Sequence, residues 1–197
     1  MENGESGTTG ETKASSASRL LGIAASPRAR GNSAGLLDLA LEGARERGYR
    51  VERLYLRSLR IMPCNACDGC KRGPGCIVHD DMDRVYGALH RADIVVVATP
   101  VYFYAMSGWL KAVVDRLYGL LDDRSRSRLE PGKRLYVITT QAENDPADGG
   151  EVVRVLERGL EWVGMELAGS LVATGLSEET DYLKYPEYLE QARRLVT

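Results

Sequence analysis

The sequence predicts a doubly wound α/β domain: five parallel strands in the order 2-1-3-4-5, with helices on both faces. Three observations carry this. Segments with strand character alternate with segments of helical period along the chain. The run Asp93 to Ala98 is almost wholly apolar and β-branched, which marks a strand buried on both faces in the middle of a parallel sheet. At 197 residues the chain has the size of one globular domain with room for a real core.

The elements follow in order. Residues 1–18 are polar and rich in Gly, Ser and Thr, so a disordered tail is expected there, with the folded domain spanning 19–197. Arg19 to Ala25 forms a short apolar strand that stops at Ser26-Pro27. From Asn32 or Ser33, residues of N-cap type, Leu36, Leu37, Ala40, Leu41 and Ala44 recur at helical spacing until Gly48. Val51, Leu54 and Leu56 fit a second strand, and a long loop then runs from about Ile61 to Val78. Asp80 or Asp81 caps a helix through His90, and the central strand follows. A helix from about Ser107 to Leu121, a strand Arg134 to Thr140, a helix from about Gly150 to Val163, a strand Glu166 to Thr174 and a last helix, Pro186 to Val196, complete the alternation. Crossovers of right hand give a flavodoxin-like sheet, whose ligands bind beyond the carboxyl ends of the strands, between strands one and three.

Two loops fall at that place. Ala25 to Ser33 joins the first strand to the first helix, so its N–H groups and the helix dipole face a potential phosphate. Ser26, Asn32 and Ser33 offer neutral donors, Arg28 a forked cation and Gly31 a sharp turn. The loop lacks the Gly-Lys-Ser/Thr of a nucleotide triphosphate loop and the G-x-G-x-x-G of a dinucleotide fold. Such a loop is common in α/β proteins and alone identifies no ligand. The central strand ends in Thr99-Pro100-Val101-Tyr102-Phe103-Tyr104, a rigid proline followed by aromatics that either pack on the core or support a flat ring.

All four cysteines lie within the long loop as Cys64-x2-Cys67-x2-Cys70-x5-Cys76. Thiolates at such spacing can converge on one centre and suit a cubane iron-sulfur cluster. Structural zinc usually joins two cysteine pairs from separate parts of a chain. Free, disulfide-linked or regulatory thiols remain open readings of the same spacing.

Together these residues resemble the NADPH-dependent FMN reductase and iron-sulfur flavoprotein families. The phosphate loop Ser26-Pro27-Arg28-x-x-Gly31-Asn32-Ser33, the Pro100-Val101-Tyr102-Phe103 loop, its continuation Ser107-Gly108-Trp109-Leu110-Lys111-x-x-x-Asp115-Arg116, and Pro63-Cys64 through Asp80-Asp81-Met82 carry the likeness. The resemblance implies FMN held by Ser26, Arg28, Asn32, Ser33, Pro100, Val101, Tyr102, Phe103, Thr140 and Gln141. It implies a 4Fe-4S cluster on Cys64, Cys67, Cys70 and Cys76, NAD(P)H as electron donor, a small-molecule or protein acceptor, and a homodimer or homotetramer. Cluster-free reductases of quinones or flavin, and carriers or redox sensors that use no NAD(P)H, are the alternatives. The third loop departs from the family: Gln141, Glu143 and Asp145 stand where glycines are common.

No Ser/His/Asp set or carboxylate pair is found, so no catalytic side chain is expected; the cofactor does the chemistry. Lys111, Asp115 and Arg116 read as helix-surface partners, His79 and His90 as surface residues, and Trp109 as an interface anchor. With 26 basic and 28 acidic residues and no basic segment, nucleic acid is not an expected partner. Nor is a membrane, since no apolar run approaches the roughly 20 residues of a span. With no export signal read in the first residues, the cytoplasm is expected.

Overall fold

A computed structural model describes residues 17–197. All but the last two residues of the expected tail therefore lie outside the described residues. The chain runs β1 (Arg19–Ala24), α1 (Asn32–Glu46), β2 (Arg50–Tyr55), α2 (Met82–Arg91), β3 (Ile94–Tyr102), β4 (Ala105–Met106), α3 (Gly108–Arg116), β5 (Lys133–Thr140), α4 (Ala147–Glu161), β6 (Met165–Ala173) and α5 (Pro186–Arg194).

Five strands form one parallel sheet in the order β2-β1-β3-β5-β6, which is the expected 2-1-3-4-5 once β4 is set aside. The sixth strand, β4, is a two-residue return that pairs antiparallel with the end of β3. Side chains of β3 alternate between two cores. Val95 and Val97 pack with α2, α3 and α4 residues such as Leu89, Leu110 and Leu156. Ile94, Val96 and Ala98 pack with α1 and α5 residues such as Leu37, Leu41 and Ala192. A strand covered on both faces has no use for a polar position, which is why this run is apolar throughout.

The helices start and stop for local reasons, with adjustments to the expected limits. Gly31, not Asn32 or Ser33, occupies the cap of α1, and no side chain caps that turn. Asp81 occupies the cap of α2 without a side-chain capping bond, its carboxylate accepting from Arg60 N at 2.7 Å, while Asp80 just before it accepts from Met82 N at 2.9 Å. Ser107 caps α3, which gives way to a 3-10 turn over Leu117–Leu120. The helix expected from Gly150 begins at Ala147, and Pro186 opens α5, where its missing N–H costs nothing. Among the described residues no helix is long and apolar enough to cross a membrane.

Candidate functional site

At the carboxyl end of the sheet, where β1 and β3 diverge, lies a cleft of about 250 Å³. Nine of the ten expected cofactor residues line it: Ser26, Arg28, Asn32, Ser33, Pro100, Val101, Tyr102, Thr140 and Gln141. Gly31, Ala142, Leu176 and Ser177 complete the wall. Larger depressions lie against Trp162, about 480 Å³, and at the amino ends of β1 and β2, about 300 Å³. Neither is built from the loops that follow the strands.

The phosphate loop is drawn tight. Ser26 Oγ accepts from Arg28 N at 3.1 Å, and Gly31 N donates to Arg28 O at 3.2 Å. A Cβ on Gly31 would come within 2.5 Å of Ser26 Oγ, although the backbone there (φ −68°, ψ 153°) is open to any residue. The glycine is thus required for space. Ser33 is buried and its Oγ has no partner. With no acidic side chain in the first turn of α1, the end of the helix dipole faces the cleft uncompensated.

Two of the expected cofactor residues have their side chains bonded within the protein. The Asn32 amide donates to Glu178 O at 2.8 Å and to Leu176 O, and its oxygen accepts from Tyr182 N at 3.2 Å. Gln141 accepts from Gly149 N at 2.7 Å and donates to Asp145 O at 2.5 Å. Both side chains hold the loops that wall the cleft. The Asn32 amide, expected as a donor, is thus occupied within the protein, as is the side chain of Gln141.

The loop after β3 is fixed from below. Ser107 Oγ donates to Ala25 O at 2.7 Å and Ser107 N donates to Thr99 Oγ1 at 3.1 Å, so one residue ties the ends of β1 and β3 together. Phe103 is the expected residue that the structure leaves out of the cleft; it is 99% exposed. Phe103 and Tyr104 form the two-residue connection between β3 and β4, both with positive φ (48° and 62°). That is the backbone of a tight hairpin turn that normally takes Asn-Gly. Aromatic residues there are strained. Exchanging the pair for Asn-Gly is expected to raise folding stability by about 1–3 kcal/mol in denaturant titrations.

The cysteine loop packs against the end of α3 and the turn that follows it, at Asp115, Arg116, Tyr118 and Gly119. Cys64 and Cys67 are exposed, Cys70 is buried and Cys76 half-buried; all four thiols are free and line one small cavity. Among the described residues, no three His, Cys, Asp or Glu side chains converge closely enough for a single metal ion. A tetrahedral ion with metal–sulfur bonds near 2.3 Å needs sulfurs roughly 4 Å apart. A cubane takes one thiolate at each of its irons and so accepts a wider set.

Arg116 was expected on the helix surface. It is instead 1% exposed, beneath the cysteine loop. Its guanidinium donates to Met62 O (2.9 Å), Val78 O (2.9 Å) and both Asp80 oxygens (3.0 and 3.3 Å), joining the two ends of the loop. Burial pushes the Asp80 carboxyl up, but the Arg116 fork and the N–H groups of Met62 and Met82 outweigh it and hold it below the ordinary carboxylate value. Tyr86 completes the arrangement: its hydroxyl donates to Arg116 O at 2.5 Å, and burial, then the nearby Cys76, raise its phenol above the ordinary value. Lys111 and Asp115 do pair on the surface, at 2.6 Å, and exposed His79 pairs with Asp83. Trp109 is 41% exposed in the single chain.

A family model described as NADPH-dependent FMN reductase matches residues 18–177. An iron-sulfur flavoprotein of Methanosarcina thermophila is 37% identical over 98 residues, 50% of this chain and 51% of that protein. Another, from Archaeoglobus fulgidus, is 33% identical over 99 residues, 50% of this chain and 45% of its own. The chain thus matches about half the length of these relatives. Among solved structures, an NAD(P)H:quinone oxidoreductase from Methanothermobacter marburgensis superposes with a TM-score of 0.70 at 16% identity, over 91% of this chain and 95% of that one. At that identity the likeness speaks to the fold.

Proposed function

The chain belongs to the NADPH-dependent FMN reductase family, and from that premise we propose that it is an FMN-dependent oxidoreductase of the iron-sulfur flavoprotein type. In this reading it draws electrons from NAD(P)H and delivers them, by way of a 4Fe-4S cluster on Cys64, Cys67, Cys70 and Cys76, to a small-molecule or protein acceptor. One observation carries it. Four buried side-chain polar atoms lack a partner among the described residues, and three of them stand at the two places where cofactors are expected. Ser33 Oγ is in the cleft; Arg116 Nε and Arg128 Nη1 are at the cysteine loop. Native interiors rarely leave such groups unpaired, because each costs about 1–3 kcal/mol. Groups of this kind suit anionic partners: a phosphate in the first case and thiolate-bound sulfur in the second.

When bound, FMN would supply two-electron acceptance from a nicotinamide and the cluster a one-electron relay. The chain's own part is placement. Arg28, the Ser33 hydroxyl and the N–H groups of the first turn of α1 would hold the phosphate. The backbone from Pro100 to Tyr102, fixed by Ser107, would carry the ring, with the partly exposed Tyr102 beside it. The cavity among the cysteines is only about 20 Å³, so the exposed arm bearing Cys64 and Cys67 must move outward to admit a cluster. Ala66 and Asp68 in that arm hold positive φ (53° and 54°), a conformation with little to lose on rearrangement. Exposed Phe103, Tyr104, Trp109 and Tyr118 support assembly into a homodimer or homotetramer through this side.

Anaerobic reconstitution with FMN, iron and sulfide tests the reading. About one FMN, four iron and four sulfide per chain are expected, with NAD(P)H bleaching the flavin absorbance. Flavin without iron would leave a cluster-free reductase. Both chromophores without NAD(P)H oxidation would leave an electron carrier.

A further inference from the structure

The cations around the cysteine loop are not equivalent. Arg116 is electrically matched by Asp80, with which it shares two hydrogen bonds. Lys71, next to Cys70, directs its ammonium to Leu121 O and Asp122 O, both at 3.2 Å, and to the face of Tyr118 at 3.8 Å. Its three donors are taken by partners outside the loop, though none is a carboxylate. Arg72 donates to Cys67 O at 3.1 Å but is exposed to solvent, which screens its charge. Arg128 differs. Its Nη2 donates to Cys70 O at 3.2 Å and to Gly73 O at 2.9 Å, inside the cysteine loop. Its Nη1 is buried without a partner and lies 4.0 Å from the point where a Cβ of Gly75 would stand, beside Cys76. The nearby carboxylate, Asp122, is taken by Arg126 at 2.7 Å. Among the described residues Arg128 has no carboxylate partner at ion-pair distance.

Four thiolates around an iron-sulfur core leave a net negative charge, which grows by one when the centre accepts an electron. A fixed, half-buried cation at the loop therefore favours the reduced form more than the oxidised one. We propose that Arg128 is a positioning residue that holds the Cys70–Gly73 stretch through its bonded N–H groups and, as a half-buried cation with no carboxylate partner among the described residues, raises the reduction potential of the cluster. This rests on the cluster reading above and extends it to a named residue and property.

The test compares the anaerobically reconstituted full chain with Arg128→Gln and Arg128→Lys, following the cluster by potentiometric titration with EPR detection. Arg128→Gln removes the charge and, its amide lying two bonds short of Nη2, the bond to Cys70 O as well, whereas Arg128→Lys keeps the charge at nearly the same reach. Its reduction equilibrium is expected to fall roughly tenfold, about 59 mV for a one-electron couple. Arg128→Lys is expected to stay near the unaltered protein, and the flavin potential to change little in either. Loss of iron from Arg128→Gln but not from Arg128→Lys would support the same charge role. Equal potentials at equal iron content overturn the inference and leave the cluster reading standing; so does equal loss of iron from both variants. An unaltered protein that takes up no iron fails the cluster reading itself, and the inference with it.

Discussion

Replacing Arg116 by alanine is expected to cost about 3–5 kcal/mol of folding stability, the range found when one partner of a buried ion pair is removed. The side chain is 1% exposed, and its loss leaves Asp80, 11% exposed, with a full charge and, from the protein, only the Met62 and Met82 N–H groups to satisfy it. Met62 O and Val78 O lose their donors in the same step. For a domain whose total stability is on the order of 5–15 kcal/mol this is a large fraction. The melting temperature should fall by about 2–4 °C for each kcal/mol lost. Arg116→Lys should recover only part, because an ammonium cannot reproduce two parallel bonds to Asp80 while still reaching both carbonyls. Urea titration of the three proteins checks the order, and an Arg116→Ala variant as stable as the parent would sink the claim that this residue fastens the loop.

The same pair gives a pH dependence of definite sign. The Asp80 carboxyl is held below its ordinary value in the fold. Its contribution is therefore fully present above the unfolded carboxylate range, near pH 4, and is lost as pH falls through the lower folded value. The acid limb of the stability curve should flatten in Asp80→Asn.

Arg116 also shows what the sequence makes legible. Helical spacing does place it on the buried stripe, three residues after Val113 and four before Leu120, both of which are buried. Composition misled: an arginine beside a Lys111–Asp115 pair reads as surface, and its true partner is 36 residues away in sequence. The order of the sheet was readable because an all-apolar strand has few places to go. The cleft was readable because glycine and hydroxyl residues between strand and helix have a physical use at a dipole end. The fates of Asn32 and Gln141 were not, since an amide announces hydrogen-bonding capacity without saying with what. Asn32 spends its amide on a loop about 146 residues further on. Nor does Phe103-Tyr104 carry any of the usual signs of a left-handed turn; only the pairing of β4 with β3 forces that backbone.

Ser33→Ala separates structure from function most sharply, because its two expected effects have opposite signs. Ser33 is 1% exposed and its hydroxyl has no partner, so in the unliganded fold it costs stability and contributes none. Alanine fills the same place, suits a helix better and removes the unpaired group, and the unliganded protein should gain up to about 1 kcal/mol. If the hydroxyl exists to meet a phosphate, the same change removes a hydrogen bond to a charged group, about 1.5–3 kcal/mol. FMN affinity should then weaken roughly 10–100-fold. Flavin fluorescence titration beside a melt of the unliganded protein reads both quantities. A serine kept only for packing would lower stability when removed and leave FMN binding alone, so that pattern would count directly against the cleft as the phosphate site. Stability gained with affinity lost is the combination expected of a group that the fold tolerates for the sake of its ligand.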